Sequence, residues 1–261
     1  MQWWRVPPRE PKVNESAASG LPQKVCLIVG AGDGTGSAVA KRFAQSGYTV
    51  CVTRRTPDAS QGLLAAIHES GGRALAFTLD ARHEDEVVTL FQKIEQDVGT
   101  LEVVVFNVGG NVRFPLLEMT AQKYFKTWEM CAMAGFLVGR EAARVMLPRQ
   151  RGTILFTGAT ASLRGGVGFS AFAGGKAALR ALAQSMAREF GPQGLHVAHI
   201  VVDGVIDSER VRTTQPERVA ALGPQGLIEP DSIAQAYIWL HEQSPDAWTF
   251  ELDLRPAKER W

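Results

Sequence analysis

At 261 residues the chain suits one α/β domain, and its apolar (45%) and charged (21%) fractions are those of a globular protein. A formal charge of +1 gives no reason to expect a nucleic acid or an anionic membrane as partner. No window approaches eighteen uninterrupted apolar residues, the N-terminus lacks the apolar core of a secretory leader, and three cysteines make no disulfide framework; a cytoplasmic location is expected, and no metal site.

Residues 1–22 carry Pro7, Pro8, Pro11 and Pro22 among charges and read as a non-core arm, with Trp3 and Trp4 available to pin it to the domain or to a second subunit. Residues 23–261 read as one domain. VCLIVG (25–30) is a continuous apolar run stopped by glycine, the mark of a strand buried on both faces. A helix is expected at 37–46, ended by Gly47. The alternation then repeats: strand 48–53, helix 61–70 closed by Gly71 and Gly72, strand 74–79, helix 83–98, strand 101–107 and a long helix over 120–147. Glu84, Asp85 and Glu86 open the 83–98 helix where its dipole favours acid. A strand at 153–157 precedes a small-residue loop and another long helix, whose Leu179, Leu182, Met186 and Phe190 recur at steps of three and four. Strand 196–202, a helix capped by Asp231 and running to His241, and strand 249–254 complete the chain. This pattern predicts one doubly wound, Rossmann-like domain: a parallel sheet of about seven strands with helices on both faces.

Three local features carry chemistry. After the first strand comes GAGDGTG, with Gly30, Asp33, Gly34, Thr35 and Gly36 leading directly into a helix. Glycines let the backbone turn tightly and approach a pyrophosphate seated on the helix N-terminus, so a bound dinucleotide is expected. The second strand ends in Arg54 and Arg55, where an acidic residue would hold a ribose 2′-hydroxyl and arginines instead suit a 2′-phosphate; NADP(H) is favoured over NAD(H). Phe172 and Lys176 stand four apart near a helix start and therefore share one surface.

The glycine spacing and the paired ring and lysine resemble the short-chain dehydrogenase/reductase family, and the resemblance runs from about residue 24 to 253. It implies an oxidoreductase moving hydride to or from a small organic substrate. Asp80, followed by Ala81, would meet the adenine ring. Asn107, Val108 and Gly109 fall where the family has Asn-Asn-Ala-Gly. Asp203, Gly204, Ile206 and Ser208 follow the sixth strand where it has Pro-Gly-x-x-x-Thr, with Ser208 keeping a hydroxyl for the nicotinamide carboxamide; Asp203-Gly204 also reads as a plain turn.

The family's catalytic set is asparagine, serine, tyrosine and lysine. By motif these positions hold Cys131, Ala159, Phe172 and Lys176 here, so three of the four groups are missing. Lys176, which in the family also bonds the nicotinamide ribose, speaks for coenzyme binding. Thr160, Ser162, Arg164, Ser170 and the Cys131 thiol are the nearby polar groups, none of them an evident replacement acid. An oxidoreductase with an atypical site is the first reading, working on an activated alkene, imine or quinone that needs less acid help. The alternatives are an inactive NADP-binding partner or sensor, and a non-redox lyase or isomerase on the same scaffold. The resemblance also implies a homodimer or homotetramer, and a substrate loop over about 205–229, whose Arg210, Arg212, Glu217 and Arg218 hint at a polar or anionic small-molecule substrate.

Overall fold

The computed structural model of the protein describes residues 23–259; the arm expected at 1–22, with Trp3 and Trp4, lies outside them. Seven parallel strands form one sheet in the order β3-β2-β1-β4-β5-β6-β7: β1 Lys24–Val29, β2 Thr49–Arg54, β3 Arg73–Thr78, β4 Thr100–Phe106, β5 Gly152–Thr157, β6 Leu195–Val202 and β7 Glu251–Leu254. Helices α1 Thr35–Gln45, α2 Gln61–Glu69 and α9 Pro230–His241 contribute to the core on one face. Helices α3 Glu84–Asp97, α5 Ala134–Met146 and α6 Ser170–Phe190 contribute to the core on the other. Helix α4, Ala121–Trp128, leads into α5 and packs against α6.

The first strand shows why a continuous apolar run is buried on both sides. Side chains alternate across a strand, so Val25, Leu27 and Val29 enter the core beneath α3, α5 and α6, while Cys26 and Ile28 enter the core beneath α1, α2 and α9. Strand order reverses about β1, which pairs with β2 on one side and β4 on the other. In such sheets the carboxyl ends at this switch point diverge and leave a crevice for ligands.

Four differences from the sequence expectation matter. The helix expected over 120–147 is interrupted by a π turn at Glu129–Met133, an inserted residue that widens the helix around the fully buried Cys131. Periodicity alone does not reveal it, because the apolar pattern resumes on the far side. The expected cap Asp231 lies inside the first turn of α9; Glu229 precedes the helix and Pro230 opens it, where no N–H is needed. Strand β7 is shorter than 249–254 because the Thr249 N–H donates to the Gln243 side chain (2.8 Å) instead of joining the ladder. The segment after β6 also folds into two short helices, α7 Glu209–Thr214 and α8 Pro216–Leu222. Among the described residues no helix is long and apolar enough to cross a membrane.

Candidate coenzyme and active site

A cavity of about 520 Å³ opens at the carboxyl ends of the central strands. One end is the glycine turn. Gly30 sits at φ +90°, a conformation that only glycine adopts without strain, and the Asn107 amide donates to its carbonyl (2.9 Å), tying the turn to the end of β4. A Cβ on Gly36 would stand 2.7 Å from the Gly30 oxygen and the Ala31 Cα, so only glycine lets α1 begin here. Gly34 faces open space, its Cβ position meeting nothing nearer than Ile206 at 4.0 Å. Gly34, Thr35 and Gly36 line the cavity, and the Thr35 hydroxyl is buried without a partner. An orphaned hydroxyl and the unpaired N–H groups of a helix start fit the phosphates of a dinucleotide.

The arginines at the end of β2 are unequal. Arg54 donates from Nε to the Ala31 carbonyl (2.5 Å) and from its terminal nitrogen to the Asp33 carboxylate (2.6 Å), while Arg55 is exposed. The fork expected of the pair is therefore half engaged by the glycine turn itself. Asp80 is held in a two-point ion pair by Arg82, which keeps its carboxyl at about 2, and neither Asp80 nor the buried Ala81 lines the cavity.

At the other end Lys176 is buried, donating from Nζ to the carbonyls of Thr157 (2.7 Å) and Val108 (3.2 Å); burial pushes its pKa down. Gly109 makes room for it: a Cβ there would lie 3.1 Å from Nζ. Around this lysine the three positions singled out by motif come together. Cys131 and Phe172 pack with Ala161 in one apolar cluster, with Ala159, Phe169 and Ala173 against it. Phe172, Ala159 and Lys176 line the cavity; Cys131 lies behind, against Gly175.

The neighbouring polar groups separate clearly. Ser162 accepts from the Ala159 N–H (3.1 Å), and the buried His199 accepts from its hydroxyl at Nε2 (3.2 Å) while donating from Nδ1 to Glu251 (3.0 Å). Glu251 in turn takes both arms of Arg180. Ser162 is thus spent on structure, and Ser170 does not line the cavity. Asp203 exceeds the plain turn reading. Its carboxylate is 2% exposed, lines the cavity, and accepts from Thr160, Arg164 (3.4 Å) and Arg255 (3.3 Å). Sequence reasoning missed that network because its members lie on three separate segments. Gly204, Ile206, Asn111 and Arg218 also line the cavity. Ser208 does not; its hydroxyl caps α7 by accepting from Val211 N–H (3.2 Å). Asp207 and Arg212 pair with each other at a separate cavity of about 570 Å³ beneath α8.

A doubly wound parallel sheet, a glycine turn at its switch point and a lysine-floored cavity define a nucleotide-binding α/β domain of the Rossmann type. The short chain dehydrogenase family profile matches residues 24–218. A 3-oxoacyl-(acyl-carrier-protein) reductase of Mus musculus is 30% identical over 220 residues, covering 84% of this chain and 91% of its own. An uncharacterized Bacillus subtilis oxidoreductase, YuxG, is 31% identical over 82% of this chain, which spans only 31% of that longer protein. Among solved structures, a short-chain dehydrogenase from Rhodopseudomonas palustris is 45% identical, with a TM-score of 0.77, covering 89% of this chain and 98% of its own. A metagenomic short-chain oxidoreductase in complex with NADP superposes with a TM-score of 0.77 at 24% identity, over 92% of this chain and 100% of its own. The chain belongs to the short-chain dehydrogenase/reductase family, oxidoreductases whose fold binds a nicotinamide coenzyme.

Proposed function

We propose that the protein binds NADP(H) in preference to NAD(H) and works as an oxidoreductase on a small organic substrate, with a site lacking the family's usual proton donor. The observation that carries the reading is the cavity itself: an orphaned Thr35 hydroxyl and glycine turn at one end, and Lys176 at the other. The coenzyme supplies or accepts hydride when bound. Gly34, Thr35 and Gly36 would hold its phosphates, and Arg54 and Arg55 its 2′-phosphate. Asn107 and Gly109 would shape the floor, and the Val108 carbonyl would help to hold Lys176 there. Lys176 would bond the nicotinamide ribose, and Asp203, Gly204 and Ile206 would flank the ring. The NADP-bound relative supports the coenzyme choice.

Phe172 and Ala159 offer no hydrogen to a substrate oxygen, so positioning dominates over acid catalysis. The reading therefore favours an activated alkene, imine or quinone over an ordinary ketone. Loss of donors at both positions equally favours a second reading, a coenzyme-binding partner or sensor without turnover. A panel of carbonyls, enones and quinones with NADPH separates the two. Loss of NADPH absorbance with any member supports the enzyme. A coenzyme-dependent rise in melting temperature with no consumption supports the sensor. Substrate conversion at flat absorbance supports a lyase or isomerase. Pairing into dimers or tetramers belongs to the same proposal, supported by Phe125, Met133 and Phe136 standing exposed along α4, the π turn and α5; sedimentation velocity tests it.

A further inference from the structure

We propose that Arg164 is a carboxylate-binding residue of the cavity, held in place by Asp203, so that the ligand taken beside the coenzyme is a small organic acid. The turn after β5 fixes its backbone: the N–H groups of Leu163 and Arg164 both donate to the Thr160 carbonyl (3.0 and 3.1 Å). Asp203 anchors one terminal nitrogen of the Arg164 side chain (3.4 Å). That carboxylate is almost wholly buried and is shared among the Thr160 hydroxyl, Arg164 and Arg255. Arginine carries five N–H donors, and among the described residues Asp203 is the one side chain with which Arg164 pairs. The Arg164 side chain is 47% exposed and lines the cavity, and Asp203 engages only one terminal nitrogen, which leaves other donors for a ligand.

The surroundings select the ligand's character. Lys176, Arg164 and Arg218 line the cavity against Asp203 and Glu259, three cations to two carboxylates. Lys176 already donates to two backbone carbonyls and Asp203 is already paired, which leaves Arg164 and Arg218, against the single Glu259 carboxylate, as the charges with most to offer a ligand. Arg218 comes from α8 and also lines the cavity, its guanidinium donating to the neutral Gln215 side chain (3.0 Å). Phe169, Phe172 and Ala161 supply an apolar wall for the rest of the molecule. A guanidinium oriented by a buried acid offers a planar fork matching a carboxylate. A carboxylate with an apolar body fits these walls better than inorganic phosphate does.

The inference rests on the coenzyme reading only for which end of the cavity stays open. Calorimetric titration of hexanoate and benzoate against hexanamide and benzamide, on the free and the NADP⁺-saturated protein, tests it. Each acid should bind at least about tenfold tighter than its amide. Arg164→Met should erase the difference, Arg164→Lys should keep part of it, and Arg218→Met should reduce it less. Arg164 is half-exposed, so its variants should melt near the parent temperature and bind NADP⁺ as before. Equal binding of acid and amide, no binding of either acid, or discrimination intact in Arg164→Met overturns the proposal. Failure of NADP⁺ to bind overturns the coenzyme reading instead, and the comparison on the free protein then still decides Arg164.

Discussion

Phe172 and Ala159 sit where hydrogen donors would serve carbonyl chemistry, and both line the cavity with Lys176. A positioned acid contributes roughly 10²–10⁴ in rate, and groups of one site act as a unit. Phe172→Tyr with Ala159→Ser should therefore gain at least about tenfold in carbonyl reduction over the parent, whereas Phe172→Tyr alone should gain less; initial rates on a ketone panel check this. A double variant equal to the parent on every ketone, with NADPH still bound, contradicts the assignment. Asp33 leads to a second expectation. Its carboxylate holds the Arg54 guanidinium at 2.6 Å, so a 2′-phosphate must compete with it and meets its charge. Asp33→Asn should tighten NADPH by about tenfold and leave NADH nearly unchanged, read by fluorescence titration. The residues of the glycine turn, the ring and the lysine were legible because each belongs to a short motif. The Thr160–Asp203–Arg164 network was not, since burial turns an ordinary Asp-Gly into a charged hub only once β5 and β6 lie side by side.

Where α6 crosses the π turn, Gly175 sets the distance. A Cβ on Gly175 would stand 2.9 Å from the Cys131 Cβ, closer than packed side chains allow, with the Trp128 backbone at 3.4 Å. Gly175→Ala should cost about 1–3 kcal/mol of stability by overpacking. Gly62, in α2, has nothing within 4 Å of its Cβ position, so Gly62→Ala should gain up to about 1 kcal/mol from helix propensity. Urea unfolding of the two variants checks both signs. A stable Gly175→Ala protein would mean that α6 is free to move away from Cys131. At this scale the order of strands and helices was readable, because buried parallel strands and amphipathic helices have different periods. The π turn, the shortened β7 and the helices α7 and α8 were not, since each depends on a single hydrogen bond or on contacts across the chain.

Across the whole molecule, buried histidines tie the sheet to its flanks. His199 links β6 to β7 and to the turn after β5; His241, at the end of α9, bonds the Tyr48 hydroxyl (2.6 Å) and the Thr153 hydroxyl (2.9 Å). Burial pushes both pKa values down from 6.5 to about 4, so both rings stay neutral in the folded protein. The unfolded chain then binds more protons between those limits. Stability is full above about 6.5, falls as pH drops toward 4, and changes no further from these groups below that, by on the order of 3 kcal/mol for each ring. Denaturant unfolding at pH 7 and pH 5 should show the lower midpoint at pH 5; equal midpoints would contradict the neutral assignment. The sequence pattern already implied a doubly wound sheet, and the site at its switch point follows from that topology. Which polar groups face the cavity was not legible, because side-chain direction depends on neighbours far along the chain.

The central claim is that the glycine turn, Arg54 and Arg55 hold a phosphorylated nicotinamide dinucleotide. Tryptophan-fluorescence titration tests it most directly, the chain having six tryptophans. Saturable quenching by NADPH, at lower concentration than by NADH, is the predicted result. A signal that fails to saturate with either coenzyme up to on the order of 1 mM contradicts the account.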